Sequence, residues 1–469
     1  MPRLPVLVVG AGPVGLAAAA HLAERDVEFL VLESGDTVAA SIAEWRQVRL
    51  FSPWRYDIDA AARRLLEADG WVAPDPDALP TGGELIESYL QPLAKLPTLA
   101  GRIRYGARVT TITRLGFDRV RSTGRDQAPF LVRLADGDEI VGRAVVDASG
   151  TWRTPNVLGG YGIPAHGEPD AVTDGRVISA LPDVLGVDRE RFAGRRTAVV
   201  GAGHSAATTL LDLAELATQV PGTEVVWVIR GGSPGRTYGG GDADQLPARG
   251  ALGARVRDLV QDGTIELVTG FATSAVKPDG DRLALVATAP HQPGERRVVA
   301  DRVVNATGFR PDHDIAAELR LDLDPVLGTT RALAPLIDPN QHSCGTVPAH
   351  GVDQLSHPDT GYYAVGVKSY GRAPTFLLAT GYEQVRSVVA AVDGDWEAAR
   401  DVRLELPETG VCSSDPAEFT RGSGAATGPG AGRGLGTGLA GGLLNLVDTT
   451  ATGAPGTTTA AKPSGGCCG

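Results

Sequence analysis

No stretch of this chain approaches the roughly 18 apolar residues that a membrane-crossing helix needs, so no membrane partner is expected. There is no excess of base either. The 44 basic side chains are outnumbered by 56 acidic ones, giving a net charge of -12 and a pI near 5.2. Nucleic acid, which requires a basic face, is excluded as a partner. Met1-Pro2-Arg3-Leu4 runs at once into an apolar strand and leaves no room for a leader, so a cytoplasmic protein is expected. Cysteine is scarce, with four in 469 residues and no Cys-x-x-Cys in the body of the chain. In a reducing compartment those four are candidates for metal or redox chemistry rather than bridges. No cluster of His, Asp and Glu stands out as an acid–base centre, and no catalytic acid or base is assigned.

What the chain does have is glycine in a particular place. Leu4 to Val9 is an apolar, β-branched run that reads as a buried strand. It leads directly into Gly10-Ala11-Gly12-Pro13-Val14-Gly15 and then into Leu16 to Leu22, which reads as a helix. Gly10 permits the tight turn, Gly12 lets backbone amides approach a pyrophosphate, and Gly15 lets helix and strand pack closely. The diphosphate is expected on the helix N-terminus. A second strand, Glu28 to Leu32, ends in Glu33, where a carboxylate accepts from ribose hydroxyls, with Ser34 beside it. Strand, glycines, helix, strand and terminal acid in one short unit predict a dinucleotide site.

Trp45, Arg46, Trp54, Arg55 and Tyr56 then lie in a Pro-broken segment, expected to fold over a planar ring system and a diphosphate. A helix is expected from Pro80 to Leu90 and a strand over Arg102 to Ile112, which includes Val109. A hairpin is expected around Asp136-Gly137. The strand Ala144 to Asp147 closes on the small residues Ala148-Ser149-Gly150-Thr151. A second unit follows: strand Arg196 to Val200, then Gly201-Ala202-Gly203-His204-Ser205-Ala206 and a helix. The next strand, Glu224 to Ile229, ends not in an acid but in Arg230, with Arg236 shortly after. Arginine there suits a 2′-phosphate and favours NADPH, with NADH possible. Asn305-Ala306-Thr307-Gly308 repeats the small-residue strand end. Gly366 and a helix N-terminus at Thr375 are expected near an electron-rich ring.

Two glycine units, the second inserted in the first and bracketed by Ala148-Ser149-Gly150-Thr151 and Asn305-Ala306-Thr307-Gly308, resemble the two-dinucleotide-binding-domain flavoproteins. That group includes the flavin-containing monooxygenases and the pyridine nucleotide-disulfide oxidoreductase-like family. The resemblance covers roughly residues 1 to 398. It implies an α/β fold of two Rossmann-like domains: FAD on 1–155 and 302–400, NADPH on 156–301, and a flexible Gly/Ala/Thr-rich tail from 405 to 469. FAD would meet Gly10, Gly12, Pro13, Gly15, Glu33, Ser34, Trp45, Arg46, Val109, Gly150, Gly366 and Thr375. NADPH would meet Gly201, Gly203, His204, Ser205, Ala206, Arg230 and Arg236. The implied activity is an NADPH-oxidising, monooxygenase-like oxidoreductase acting on a small molecule, and a homodimer is plausible for the superfamily. The sequence departs from the family in two places. No Phe-x-Gly-x-x-x-His fingerprint lies between Pro155 and Gly201, and Gly366 is followed by Val367 where a Gly-Asp pair is usual.

The cysteines leave alternatives open. Cys412, Cys467 and Cys468 form a set of thiolates that suits a soft ion, and the terminal pair resembles the tail of mercuric reductase. A thiol or metalloid reductase for arsenic or mercury, tied to arsenic resistance, is one alternative. A non-catalytic module that binds thiophilic ions is another, and the third is that these are incidental cysteines in the tail.

Overall fold

The computed structural model describes residues 4–239, 241, 244, 246–288, 294–339, 347–374 and 376–403. Thr375, Cys344, Cys412, Cys467, Cys468 and the expected tail 405–469 lie outside the described residues.

The chain opens with β1 (Val6–Val9), every residue of which is buried. Helix α1 (Pro13–Glu24) follows, starting three residues earlier than expected because Pro13, lacking an N–H, suits a first helical position. Its Leu-Ala-Ala-Ala-Ala-His-Leu stretch is buried throughout, since the helix lies between the sheet and other helices. Next come β2 (Phe29–Leu32) and β3 (Ile103–Arg104). The single strand expected over Arg102 to Ile112 is two strands. Gly106, at φ +63°, turns the chain, and β4 (Val109–Arg114) joins a different sheet. There it pairs antiparallel with β5 (Phe130–Leu134), which pairs with β6 (Glu139–Gly142) across the expected Asp136-Gly137 turn. Strand β7 (Ala144–Asp147) returns to the first sheet.

The second unit holds β8 (Val177–Ser179), β9 (Arg196–Val200), helix α2 (His204–Gln219), β10 (Glu224–Val228) and β11 (Ile265–Val268). An antiparallel trio follows, β12 (Thr273–Asp279), β13 (Arg282–Thr288) and β14 (Glu295–Ala300), and then β15 (Arg302–Asn305). Last are β16 (Tyr362–Ala364) and helix α3 (Leu378–Asp393). The parallel sheets have strand orders β16-β7-β1-β2-β3 and β11-β10-β9-β15-β8. Buried parallel strands explain the unbroken Val-rich runs.

The strand that begins at the expected boundary of residue 302, β15, pairs with β9 on one side and β8 on the other, inside the second sheet. One steric feature is the same in both units. The backbone that leaves a sheet passes directly behind that sheet's glycine turn. A Cβ on Gly10 would meet the Ala148 carbonyl at 2.8 Å, and one on Gly201 would meet the Ala306 carbonyl at 2.0 Å. The two linkers then run side by side. Asn156 N–H donates to the Gly308 carbonyl (2.9 Å), Arg310 N–H to Thr154 (3.0 Å), and Asn305 Nδ2 to the Asn156 carbonyl (2.8 Å). Among the described residues no helix is long and apolar enough to cross a membrane.

Candidate active site

The first glycine turn is shaped by contact on two sides and open on the third. A Cβ on Gly15 would stand 1.9 Å from the Gly10 carbonyl, so only glycine lets α1 rise this close to β1. A Cβ on Gly12 would meet nothing within 4 Å. Gly12 caps α1 without any side-chain hydrogen bond to the first-turn amides. An uncapped helix N-terminus beside open space is a cradle for an anion. Glu33, 6% exposed, borders it. Its Oε2 accepts Ala11 N–H (2.7 Å), and its Oε1 accepts Gly35 N–H (2.8 Å) and Ser34 Oγ–H (3.3 Å). The carboxylate thus holds the turn in shape and keeps lone pairs for a ribose.

The second turn repeats this arrangement. Gly201 is filled by the Ala306 carbonyl, Gly203 is open, and Gly203 caps α2 with no side-chain bond. His204 is the first residue of α2 and Ser205 the second; Ala206 is fully buried. Trp227, fully buried in β10, donates its Nε1–H to the Gly201 carbonyl (2.7 Å) and so pins the turn from below. Arg230 is exposed and donates to the Gly160 carbonyl (3.1 Å). Arg236 is exposed and has no ion-pair partner among the described residues. The residues present therefore fit two dinucleotides, one at each turn.

The segment after β2 crosses the first turn: Ala39 N–H donates to the Ala11 carbonyl at 3.0 Å. It carries Trp45 to a tilted contact with Trp152 (centroids 6.4 Å apart), which packs on Phe309 (4.7 Å). One ring comes from the first domain's loop and one from each linker. Trp152 is held by Glu44, which accepts its Nε1–H (2.8 Å). Gly82 lies under Trp45, where a Cβ would meet the indole at 3.0 Å. Arg46 pairs with Glu87 at the surface. The loop also reaches the second unit directly. Gln47 donates to the Leu181 carbonyl (3.0 Å), and Phe51 rests on the His204 ring (4.9 Å). Beside them a buried bidentate pair, Arg249–Asp244 at 2.7 Å, puts its guanidinium 5.9 Å from the Phe51 ring.

The remaining expected residues fall as follows. Val109 sits in the β4–β5 ladder opposite Leu134. Gly150, at φ +73°, has open space where a Cβ would lie. Gly366, at φ +69°, donates its N–H to Gln384 Oε1 (2.8 Å), and a side chain there would crowd Val14. Sequence reasoning missed the buried pair Asp147–Lys368, at 2.7 Å, together with Phe51 and the Arg249–Asp244 pair. The one available signal for the first was a charged residue, Asp147, closing an apolar strand. Burial pushes the Asp147 carboxyl up, but Lys368, Ser149 and Tyr362 together outweigh it and hold it below the ordinary range. Among the described residues, no group of His, Cys, Asp and Glu could hold a metal ion.

Two sheets of this topology, each ending on an uncapped glycine turn and joined by paired linkers, define a flavin-dependent oxidoreductase with two dinucleotide sites. The sequence profile of the pyridine nucleotide-disulphide oxidoreductase family matches residues 7–343, and the chain belongs to that family. It is 31% identical over 209 residues to the indole-3-pyruvate monooxygenase YUCCA1 of Oryza sativa subsp. japonica, and the match spans 44% of each chain. The chain thus aligns with less than half the length of that relative. It is 23% identical over 333 residues to a ferredoxin--NADP reductase of Paramagnetospirillum magneticum, covering 70% of this chain and 81% of the relative. Solved structures share the fold. The bacillithiol disulfide reductase Bdr of Bacillus cereus has a TM-score of 0.60 at 17% identity, over 84% of this chain and 99% of that one. The cadaverine monooxygenase DfoA of Erwinia amylovora has a TM-score of 0.59 at 14% identity, over 88% and 100%.

Proposed function

We propose that the protein oxidises NADPH with bound FAD and passes the electrons to O₂, oxygenating a small substrate: one oxygen atom enters the substrate and the other leaves as water. The observation that carries this reading is the pair of open, uncapped helix N-termini at Gly12 and Gly203, together with a junction lined by aromatic rings from the first loop and both linkers. FAD, when bound, supplies hydride acceptance and the reaction with O₂. The chain supplies the rest. The α1 amides and Glu33 hold the FAD diphosphate and ribose, and the α2 amides hold the NADPH diphosphate. Arg230 and Arg236 meet the 2′-phosphate, for which a planar guanidinium is suited. The ferredoxin--NADP reductases among the relatives support the choice of NADPH over NADH. Trp45, Trp152 and Phe309 keep water from the ring end of the site. The monooxygenase among the sequence relatives supports oxygenation over disulfide reduction, as does the lack of a Cys-x-x-Cys in the body of the chain. The test is a substrate screen in which NADPH oxidation is scored against hydrogen peroxide release. A substrate that speeds NADPH oxidation while suppressing peroxide supports oxygenation. Turnover with added disulfides or quinones and none with O₂ would replace it with a reductase.

A further inference from the structure

Lys368 and Asp147 have 1% and 0% of their side chains exposed, with Nζ 2.7 Å from Oδ2. Two charges taken out of water gain little net stability from one another, because desolvation offsets their attraction. The linker turn does not need the charge. In the second linker a neutral Asn305 makes the same turn, its Oδ1 accepting Thr307 N–H (3.3 Å) and Oγ1–H (2.7 Å). In the first, Asp147 Oδ1 accepts Ser149 N–H (3.1 Å) and Oγ–H (2.6 Å). What the charged version adds is a cross-link. Lys368 Nζ donates to Ser149 Oγ (3.0 Å) as well as to Asp147, and Tyr362 OH donates to the same Oδ2 (2.9 Å).

The lysine sits in a single 3-10 turn, Gly366–Tyr370, whose start is fixed by the Gln384 bond to Gly366 and runs so near α1 that a Cβ on Gly366 would meet Val14 at 3.3 Å. His313, which donates Nε2–H to the Gly328 carbonyl (2.8 Å), keeps a buried Nδ1 without a partner within electrostatic reach of the ammonium. One side chain therefore ties the end of β7, the first linker and the Gly366–Tyr370 turn.

We propose that Lys368 is a positioning residue for hydride transfer: through Asp147 and Ser149 it fixes the first linker against the Gly366–Tyr370 turn, and so sets how the ring ends of the two dinucleotide sites face each other. This rests on the flavin reading above. The neutral second linker suggests the probe. The double variant Asp147→Asn, Lys368→Met keeps the turn-forming amide and the apolar stem and buries no charge.

The double variant is expected to melt within a few degrees of wild type and to retain FAD. Its flavin absorbance band should shift. Its reduction rate at saturating NADPH should fall roughly tenfold or more, because a misplacement of about 1 Å costs up to about 100-fold. The KM for NADPH should stay within about threefold of wild type, the pattern of lost positioning rather than lost binding. Ser149→Ala, which removes the lysine's link to the linker and the hydroxyl's bond to Asp147 but keeps the Ser149 N–H bond of the turn, should move the same rate in the same direction, and it carries the test if the double variant does not accumulate. A double variant or S149A protein with the wild-type band and rate would overturn the proposal. Wild-type protein that takes up no FAD would instead overturn the flavin reading.

Discussion

Replacing Asp57 by asparagine should stabilise the protein at neutral and alkaline pH while changing it little in acid. Asp57 is fully buried in the short helix Trp54–Asp57. Its Oδ1 accepts Ser52 Oγ–H (2.8 Å), its backbone carbonyl accepts Tyr382 OH (2.7 Å), and its Oδ2 has no partner. Burial pushes the carboxyl from 3.8 up to about 7, and the Ser52 hydrogen bond pulls it back only in part. The folded chain therefore holds this proton at pH values where the unfolded chain has released it. Between those two values the folded state binds more protons, so stability falls as pH rises through the window. The full gap amounts to roughly 4 kcal/mol, of which roughly 1.5 kcal/mol is already lost at pH 5 and nearly all at pH 8. Asparagine imitates the neutral acid and does not titrate. Comparing denaturant melts of wild type and D57N at the two pH values, followed by tryptophan fluorescence, isolates the difference, because the histidines titrate identically in both. The advantage of D57N should grow by about 2 to 3 kcal/mol from pH 5 to pH 8. An advantage that is equal at both, or larger at pH 5, refutes the buried-acid argument.

Other perturbations have equally definite outcomes. Gly15→Ala places a Cβ where the Gly10 carbonyl stands, 1.9 Å away, so the variant should fold poorly or be isolated without flavin, read as visible absorbance per chain. Arg230→Ala with Arg236→Ala should raise the KM for NADPH by roughly 100-fold or more and leave that for NADH nearly unchanged, as loss of two charge-assisted phosphate contacts of about 1.5–3 kcal/mol each implies. Thr197→Val removes a fully buried hydroxyl without a partner, so melting should show stability unchanged or raised by about 1 kcal/mol.

The cofactor turns were legible in the sequence because each rests on a local steric demand. Gly10, Gly15 and Gly201 face backbone at under 3 Å, and only glycine tolerates that, so spacing alone exposes them. The places of Glu33 and Arg230 in the fold were legible for a similar reason, since each follows a strand whose position is fixed by the turn. Strand membership was harder. Arg302–Asn305 reads equally well as the start of the returning first domain, and only its register with Thr197–Val200 places it in the second sheet. The helix expected from Pro80 to Leu90 divides into an α-helical turn at Gly82–Leu85 and a π turn at Ile86–Leu90, a widening with no signature in residue periodicity. Lys368 was invisible for a different reason. A single lysine in a strand-ending loop carries no pattern, and its meaning comes from Asp147, 221 residues away in the chain. The junction rings Phe51, Trp152 and Phe309 likewise become a group only when the two linkers run together.

The central claim is that both glycine turns hold dinucleotides whose reactive rings meet at this junction. Anaerobic mixing of the FAD-loaded protein with NADPH, followed through the flavin's visible absorbance, tests it most directly. The account predicts rapid bleaching by NADPH, with NADH slower at equal concentration. Absorbance that persists with both nucleotides would contradict it.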